Sequence, residues 1–454
     1  MTKELHLSPA ATSQALHPTH CIERRRFLHT AGAGSAALAL APLLTSCSES
    51  NRPPNIVLIM ADDLGAECVN CYGGTSYETP HLDALAASGM RFTHCFSQPL
   101  CTPSRVQLMT GRYNHRNYTE FGTLPPGEIT FGHLLQQAGY RTCVTGKWQL
   151  SGRVEGARYH GEGTLPGAAG FDEHCLWQVE KLGSRYWDPT LQINGELHEQ
   201  MAGAYGPDLC CDYLIDFIRR HAERPFFAYY PMILPHDPFQ PTPGSGVPAA
   251  ERSVRAPRYF TDMVAHVDTL IGRIVTALDE LDLRRETLIL FTTDNGTHRS
   301  ITSRRGEEQV PGGKGRAVTT GMHVPLIVSR PGFTPPGTVI DDLIDFSDFV
   351  PTLADVAGAD LPDDRIIDGR SFLPRIAGRR GRPREWIFCA YDPRWGNWEA
   401  TRFVRDHRFK LTAGGALYDL AADPAERNPI AIEHLEAAVR PVYEKLQRAL
   451  DSVR

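Results

Sequence analysis

The sequence predicts an α/β fold with a large mixed, mostly parallel central sheet flanked by helices, followed by a small C-terminal α+β subdomain. Continuous apolar runs of strand length, such as Asn55 to Met60 and Pro225 to Tyr230, are typical of strands buried on both faces between helices. After about residue 376 the apolar runs become short and closely spaced. That pattern favours a small antiparallel sheet, closed by a helix from about Ile432 to Val453.

Composition limits the class of protein. The chain has 454 residues, of which 41% are hydrophobic and 22% charged, and this balance fits a globular protein with a substantial core. The formal net charge of −6 argues against a nucleic-acid-binding protein, because such proteins carry a basic surface. We find no internal repeat and no long low-complexity segment.

The N-terminus predicts an export signal over residues 1–46 and a linker over 47–54. The stretch from Glu23 to Leu28 resembles a twin-arginine motif, and the apolar stretch from Ala31 to Leu44 is shorter than the ~20 residues of a spanning helix. The segment ending at Cys47 resembles a lipobox. We expect export by the Tat machinery to the periplasm or cell surface, with Cys47 lipidated and anchored to a bacterial membrane; the alternative is a cleavable signal with a chance cysteine.

Oxygen-bearing side chains follow two of the predicted strands. Asp62 and Asp63 come directly after the first strand, and Asp294 and Asn295 follow the strand from Thr287 to Phe291. Ligands of open α/β sheets bind at the carboxyl ends of the strands. Each group alone fits a solvated turn, but together they form an oxygen-only set that suits calcium or magnesium rather than zinc.

Cys101 lies at the start of a predicted helix. Pro103 suits the first helical turn, so Cys101 is expected just ahead of a helix N-terminus, where backbone N–H groups favour an anion. Arg105, one turn further on, adds a positive charge. The alternative is a buried cysteine before an ordinary helix.

Two lysines and a histidine are further candidate site residues. Lys147 follows the predicted strand from Arg141 to Thr145, and Lys314 is surrounded by glycines that allow the backbone to approach an anion. His236 follows the strand that ends at Tyr230. Each residue also has an alternative interpretation on its own: Lys147 as a solvated lysine, Lys314 as part of a flexible surface loop, and His236 as a structural histidine.

These motifs, in this order, resemble the type I (formylglycine-dependent) sulfatases of the alkaline phosphatase superfamily. The resemblance rests on N-I-V-L-I-M-A-D-D-L-G, C-T-P-S-R with T-G-R, G-K-W, D-N-G, G-G-K-G, and R-F-K-L-T with L-Y-D-L-A-A-D-P-A-E-R. It extends from about residue 53 to the end, and we assign a catalytic domain to 55–375 and a C-terminal subdomain to 376–454.

The resemblance implies a role for each site residue. Cys101 is oxidised to formylglycine by a formylglycine-generating or anaerobic sulfatase-maturing enzyme, and Ca²⁺, with Mg²⁺ possible, is bound by the residues at 62, 63, 101, 294 and 295. Lys147, Lys314 and Arg105 contact the sulfate. His236 protonates the leaving alcohol, since an ordinary histidine pKa lies near working pH.

Two further residues belong to the expected substrate site. Gln149 stands where many family members have a histidine that helps to break down the sulfated intermediate, and a glutamine cannot take a proton near neutral pH. His323 is expected to line the pocket. Residues 150–210 are interpreted as pocket-shaping loops, and their candidates for substrate contact are His160, His174, Trp177, Arg185 and Trp187.

The implied function is hydrolysis of a sulfate ester, either a sulfated carbohydrate or an aryl sulfate. Two alternatives remain open at this stage. A phosphodiester or phosphonate monoester hydrolase uses the same set of residues, and a non-catalytic lipoprotein that binds sulfated glycans would explain the glutamine at 149.

Overall fold

The computed structural model describes residues 52–158 and 160–453. The predicted export signal, the lipidation of Cys47 and most of the predicted linker therefore lie outside the described residues. Among the described residues, no helix combines the length and apolar character needed to cross a membrane.

The described chain alternates strands and helices before ending in a strand-rich segment. The strands are β1 (Asn55–Ala61), β2 (Met90–Phe96), β3 (Arg141–Lys147), β4 (Glu173–Trp177), β5 (Leu191–Ile193), β6 (Glu196–His198), β7 (Phe226–Pro231), β8 (Thr287–Thr293), β9 (Thr302–Arg305), β10 (Glu308–Pro311), β11 (His323–Ser329), β12 (Thr338–Asp345), β13 (Ile387–Tyr391), β14 (Thr401–Arg405), β15 (Phe409–Thr412) and β16 (Leu417–Asp419). The helices are α1 (Pro80–Ser88), α2 (Cys101–Thr110), α3 (Asn114–Asn117), α4 (Phe131–Gln137), α5 (Gly206–Arg220), α6 (Tyr259–Glu280), α7 (Thr319–Met322), α8 (Phe349–Ala357), α9 (Leu373–Ile376) and α10 (Arg440–Ser452).

The central sheet has ten strands in the order β12-β2-β11-β8-β1-β7-β3-β4-β5-β6. Its middle is parallel, because β1 pairs in parallel with both β7 and β8, and β3 with both β7 and β4. Antiparallel pairs occur where β11 meets its two neighbours and at the β4-β5-β6 edge. The predicted mixed, mostly parallel sheet is confirmed.

Strand β1 shows why the sheet forms from apolar runs. All seven of its residues are buried, and alternate side chains enter different layers. Val57 and Ile59 pack with residues of α1, α5 and α6, whereas Ile56 and Leu58 pack with residues of α2, α4 and α8. The continuous apolar sequence therefore reflects helices on both faces, and it leaves the strand ends as the place for polar side chains.

The C-terminal part forms its own antiparallel sheet, in the order β13-β14-β15-β16, as the sequence predicts. The expected start of the last helix was wrong. Ile432–His434 is only a single turn, and α10 begins at Arg440. Pro441 occupies the first turn of α10, where its missing N–H breaks no helical hydrogen bond; a helix from residue 432 would place it in the interior.

Residues 150–210 are more regular than expected. Strand β4 joins the central sheet alongside β3, two three-residue strands extend the edge, and α5 starts at Gly206. Strands of three residues are too short to produce a readable alternation of apolar and polar side chains, which explains why the sequence pattern did not reveal them.

Candidate active site

Three buried carboxylates meet at the carboxyl edge of the central sheet. Ala61 at the end of β1 pairs with Thr293 at the end of β8, and this register places Asp62 beside Asp294. The backbone N–H of Asp63 donates to Asp294 Oδ1 at 3.1 Å. All three side chains are fully buried, so they need compensating positive charge.

Three buried cations provide that charge. The pairs are Lys147 Nζ with Asp62 Oδ2 (2.7 Å), Lys314 Nζ with Asp63 Oδ2 (2.5 Å) and Arg105 Nη2 with Asp294 Oδ2 (2.9 Å). Arg105 also donates through Nη1 to the backbone carbonyl of Lys147 at 3.3 Å, which connects α2 to the end of β3. The sequence predictions for these six residues therefore converge on one cluster, although the residues span positions 62 to 314.

The pKa values of the three carboxyl groups are shifted in different directions. Burial would raise the pKa of Asp62, but the charges of Lys147 and Arg105 outweigh this and hold its pKa below the ordinary value. Burial raises the pKa of Asp63 despite Lys314. Burial and the nearby negative charge of Asp62 raise the pKa of Asp294 to about 7. The raised pKa values of Asp63 and Asp294 mean that their negative charge is unfavourable in this cluster, so further positive charge would stabilise both carboxylates.

The donor set fits a divalent cation. Asp62 Oδ1 and Asn295 Oδ1 are both buried and accept no hydrogen bond from any described residue, an expensive state for a polar atom. Asn295 Nδ2 donates to Asp63 Oδ1 at 2.8 Å, which orients its own carbonyl oxygen. Asp63 has a φ of +70°, a strained backbone state that is common at functional sites. Carboxylate and amide oxygens are ligands for calcium or magnesium.

Cys101 is the first residue of α2 rather than the residue before it, and Leu100 is the N-cap. Its side chain is buried, with 2% exposure, and Sγ donates to Gln149 Oε1 at 3.3 Å. Burial raises the pKa of the Cys101 thiol despite the proximity of Lys147. An unmodified cysteine here is therefore a protonated thiol and a poor nucleophile.

Gln149 is positioned by the backbone after β3. Gly146 has a φ of +121°, and a Cβ at this position would lie 2.0 Å from the carbonyl oxygen of Pro231, so only glycine fits. The chain continues to Gln149, which itself has a φ of +56°. This turn directs the amide of Gln149 toward residue 101.

His236 lies next to the second lysine. Its Nε2 is 2.9 Å from Lys314 Nζ and 3.7 Å from Asp63 Oδ2, and its Nδ1 is 2.5 Å from the carbonyl oxygen of Asp237. Burial and the positive charge of Lys314 lower the pKa of His236 well below its ordinary value. The structure of the free protein therefore does not support the expectation that the pKa of His236 lies near working pH.

A cavity of about 610 Å³ opens onto this cluster. The lining residues are Leu100, Cys101, Phe121, Gln149, Gly156, Ala157, Arg158, Trp177, Gln178, Leu182, Arg185, His236, Lys314, Trp395 and Trp398. Of the substrate-contact candidates from the sequence, Trp177 and Arg185 lie here, whereas His160, His174 and Trp187 are not among the lining residues.

His323 does not belong to the cavity either. Its Nε2 lies 2.8 Å from the backbone carbonyl of Thr93, and its ring packs against Phe96 and His94. The structure therefore does not support the expectation that His323 lines the pocket. Arg158, Trp395 and Trp398 also line the cavity, and they were not predicted because they come from loops without a recognisable motif.

Comparison with known proteins agrees with this architecture. A family model described as Sulfatase matches residues 54–359, and one described as N-sulphoglucosamine sulphohydrolase, C-terminal, matches residues 316–454. Steryl-sulfatase of Mus musculus is 31% identical, over 88% of this chain and 84% of its own. Arylsulfatase A of Homo sapiens is 35% identical, over 82% of this chain and 78% of its own.

A solved structure shows the same fold. BT4656, in complex with its substrate D-glucosamine-2-N,6-O-disulfate, superposes with a TM-score of 0.70 at 23% identity, covering 88% of this chain and 97% of that one. The chain belongs to the sulfatase family of the alkaline phosphatase superfamily. It is a sulfuric ester hydrolase.

Proposed function

We propose that the protein hydrolyses sulfate esters with formylglycine at position 101 and a divalent metal ion, and that Ca²⁺ is this ion. The observation that carries the proposal is the convergence of three buried carboxylates and their three cations on one cluster, which meets the cavity at Lys314 and Cys101. Asp62, Asp63, Asp294 and Asn295 would hold the metal, together with the side chain at residue 101.

The modified residue and the metal supply the chemistry that an ordinary cysteine cannot. A hydrated formylglycine offers one hydroxyl for attack on sulfur and a second for release of sulfate, and a divalent cation favours ionisation of a hydroxyl. Lys147, Lys314 and Arg105 present fixed positive charge to the sulfuryl oxygens, where negative charge develops during the reaction. Because they are already held in place, little reorganisation is needed.

Gln149 accepts a hydrogen bond in this reaction, and His236 donates a proton. Gln149 Oε1 accepts a hydrogen bond from residue 101, so it orients a hydroxyl there without removing its proton. His236 protonates the departing alcohol oxygen. Bound sulfate adds negative charge beside the imidazole, which favours its protonated form relative to the free protein.

The experiment is sulfate release from an aryl sulfate by protein co-expressed with a formylglycine-generating enzyme, with calcium and with a chelator. We expect turnover that is lost on chelation, restored by calcium, and absent in Cys101→Ala. An aryl phosphodiester or a phosphonate monoester, tested in parallel, examines the alternative activity. Preferential turnover of either of these substrates would overturn the assignment to sulfate esters.

We further propose that the substrate is a sulfated carbohydrate and that the protein is exported and lipid-anchored. Support for a carbohydrate comes from the disulfated sugar bound by the structural neighbour. Support for export comes from the sequence before residue 52, with its twin-arginine-like motif and Cys47. Metabolic labelling with a fatty acid, compared between the protein and Cys47→Ala, tests the anchor.

A further inference from the structure

Two arginines line the cavity in addition to the cations of the metal cluster. Arg185 places its guanidinium 4.0 Å from the ring centre of Trp177, with Nη1 2.9 Å from His236 Nδ1. Arg158 lines the same cavity from the loop after β3. Within the described residues, neither guanidinium forms an ion pair with a carboxylate, unlike Lys314 and Arg105.

The cavity wall does not balance this charge. Among the described lining residues there is no aspartate or glutamate. The charge of Lys314 is already balanced by Asp63, and the carboxylate of Asp237, 3.1 Å from His236 Nδ1, forms no ion pair with Arg185. The two arginines therefore add positive charge to the lining of the same cavity. A cleft lined by charge of one sign attracts ligands of the opposite sign. One sulfate group, bound by the lysines, would leave both guanidiniums without an anionic partner.

Aromatic side chains form the rest of the wall. Phe121 and Trp395 stack with ring centres 4.8 Å apart and an angle of 14° between their planes. Trp398 lies directly over Gly315, where a Cβ would come within 2.3 Å of the indole ring, so a glycine is required beside Lys314. A space of about 610 Å³ with aromatic walls accommodates a ligand the size of a mono- or disaccharide.

We propose that the alcohol half of the substrate is a sugar carrying a second anionic group, a carboxylate or another sulfate, which Arg158 and Arg185 bind. This inference rests on the proposed function, because it places the first sulfate at residue 101. An uncharged alcohol that covered the half-buried Arg185 would displace water from its guanidinium without replacing the lost hydrogen bonds, which is unfavourable. Both guanidiniums can instead form charge-assisted, bidentate hydrogen bonds with a carboxylate or sulfate.

Binding to the Cys101→Ala protein tests this without turnover. Calorimetry in calcium buffer compares N-acetylglucosamine-6-O-sulfate, whose only charge is its sulfate, with glucosamine-2-N,6-O-disulfate, and with a sulfated glucuronate as the carboxylate form. We expect one or both dianionic sugars to bind roughly 10- to 100-fold more tightly than the monosulfate, the range expected for hydrogen bonds to charged groups. Equal affinity for all three sugars, or no binding of any, would overturn the inference.

Variants assign the effect to the two arginines. In the same background, Arg158→Met combined with Arg185→Met should reduce the preference for the dianionic sugar by about 10-fold or more. The ratio of the two affinities, dianionic sugar to monosulfate, is informative because both ligands carry the sulfate that binds near His236, so any change at that sulfate affects both affinities. Arg153→Met is the matched control, since Arg153 is an exposed arginine of the same loop outside the cavity lining, and it should leave the ratio unchanged.

Two outcomes separate this inference from the proposed function. If the unsubstituted protein releases sulfate from an aryl sulfate but the double variant keeps the full preference, the subsite is wrong and the function stands. If the dianionic preference depends on both arginines but no sulfate ester is hydrolysed, the subsite stands and the reaction is wrong.

Discussion

The ammonium of Lys147 lies 2.7 Å from Asp62 Oδ2, and both side chains are completely buried. Two similar pairs surround it, so three carboxylates and three cationic side chains share a small volume at the end of β1 and β8. Such a cluster tolerates the loss of one member poorly, because the remaining partner becomes an unpaired buried charge. The same cations are the groups that we assign to sulfate binding.

Replacing Lys147 with methionine should therefore affect both activity and stability. We expect kcat/KM for an aryl sulfate to fall on the order of 100- to 1000-fold, the cost of removing one preorganised charge contact. We also expect the free energy of unfolding to fall by roughly 3–5 kcal/mol, since Asp62 loses its hydrogen-bonded cation and keeps only Arg105, whose Nη2 lies 3.8 Å from Asp62 Oδ2. The control is Lys181→Met, at a half-exposed lysine that pairs with Glu155 and Glu199. Near-normal kcat/KM and melting temperature in Lys147→Met would contradict the assignment.

Gln149→His tests whether release of sulfate limits turnover. Histidine tolerates the left-handed backbone that Gln149 adopts, and its ring adds a group that can accept a proton near residue 101. We expect a higher kcat with a new pH dependence near neutrality, whereas Gln149→Ala, which only removes the hydrogen bond, should lower kcat. Rapid-mixing kinetics with an aryl sulfate follows both steps. If Gln149→His lowers kcat as much as Gln149→Ala, another group takes the proton.

Arg384 carries a buried charge that the sequence pattern does not indicate. Four arginines between residues 379 and 384 suggest a polar boundary, yet Arg384 is buried and its Nε lies 2.8 Å from Asp348 Oδ2. We expect Arg384→Met to destabilise the protein by roughly 3–5 kcal/mol, because it leaves Asp348 buried without a cation. The exposed neighbour Arg380→Met is the control. Denaturant titration of both variants measures the difference, and equal midpoints would show that this ion pair contributes nothing.

The lowered pKa of His323 predicts how the stability of the protein depends on pH. Burial lowers its pKa to about 3, against 6.5 for an ordinary histidine. At pH values between about 3 and 6.5 the unfolded chain binds a proton at this histidine that the folded protein does not. The contribution of neutral His323 to the free energy of unfolding is therefore fully present above pH 6.5 and is lost as the pH falls toward 3. In His323→Gln, which keeps a donor for the Thr93 carbonyl, the slope of unfolding free energy against pH should decrease by up to about 1.4 kcal/mol per pH unit.

The control for that measurement is His434→Gln, at an exposed histidine of the C-terminal segment. Both variants are unfolded with denaturant at a series of pH values between those two pKa values. An unchanged slope in His323→Gln would mean that His323 is protonated in the folded protein.

The strands and the charged cluster could be predicted because they follow from short-range chemistry. An apolar run of six residues, Ile56 to Ala61, that is followed by two aspartates indicates both a buried strand and a ligand at its end. The register of β1 against β8 then brings Asp62 to Asp294. Parallel strands place equivalent ends at one edge, so positions more than two hundred residues apart meet without any local signal of contact.

The substrate side of the cavity could not be predicted in this way. Trp395 and Trp398 reach it from the loop between β13 and β14, so their contribution depends on how the C-terminal sheet packs. The lowered pKa of His236 also depends on Lys314, which is 78 residues away in sequence. His323 could not be placed for a different reason, because a histidine at the start of a strand looks the same in the sequence whether it faces a pocket or a neighbouring backbone carbonyl.

The central claim is that an oxidised cysteine at position 101 carries out the reaction, and mass spectrometry of the peptide containing residue 101 tests it most directly. The protein is co-expressed with a formylglycine-generating enzyme, and its sulfate-ester turnover is measured in the same preparations. We expect the mass of a peptide in which an aldehyde replaces the thiol, and turnover proportional to that fraction. Full turnover by protein in which Cys101 remains an unaltered thiol would contradict the account.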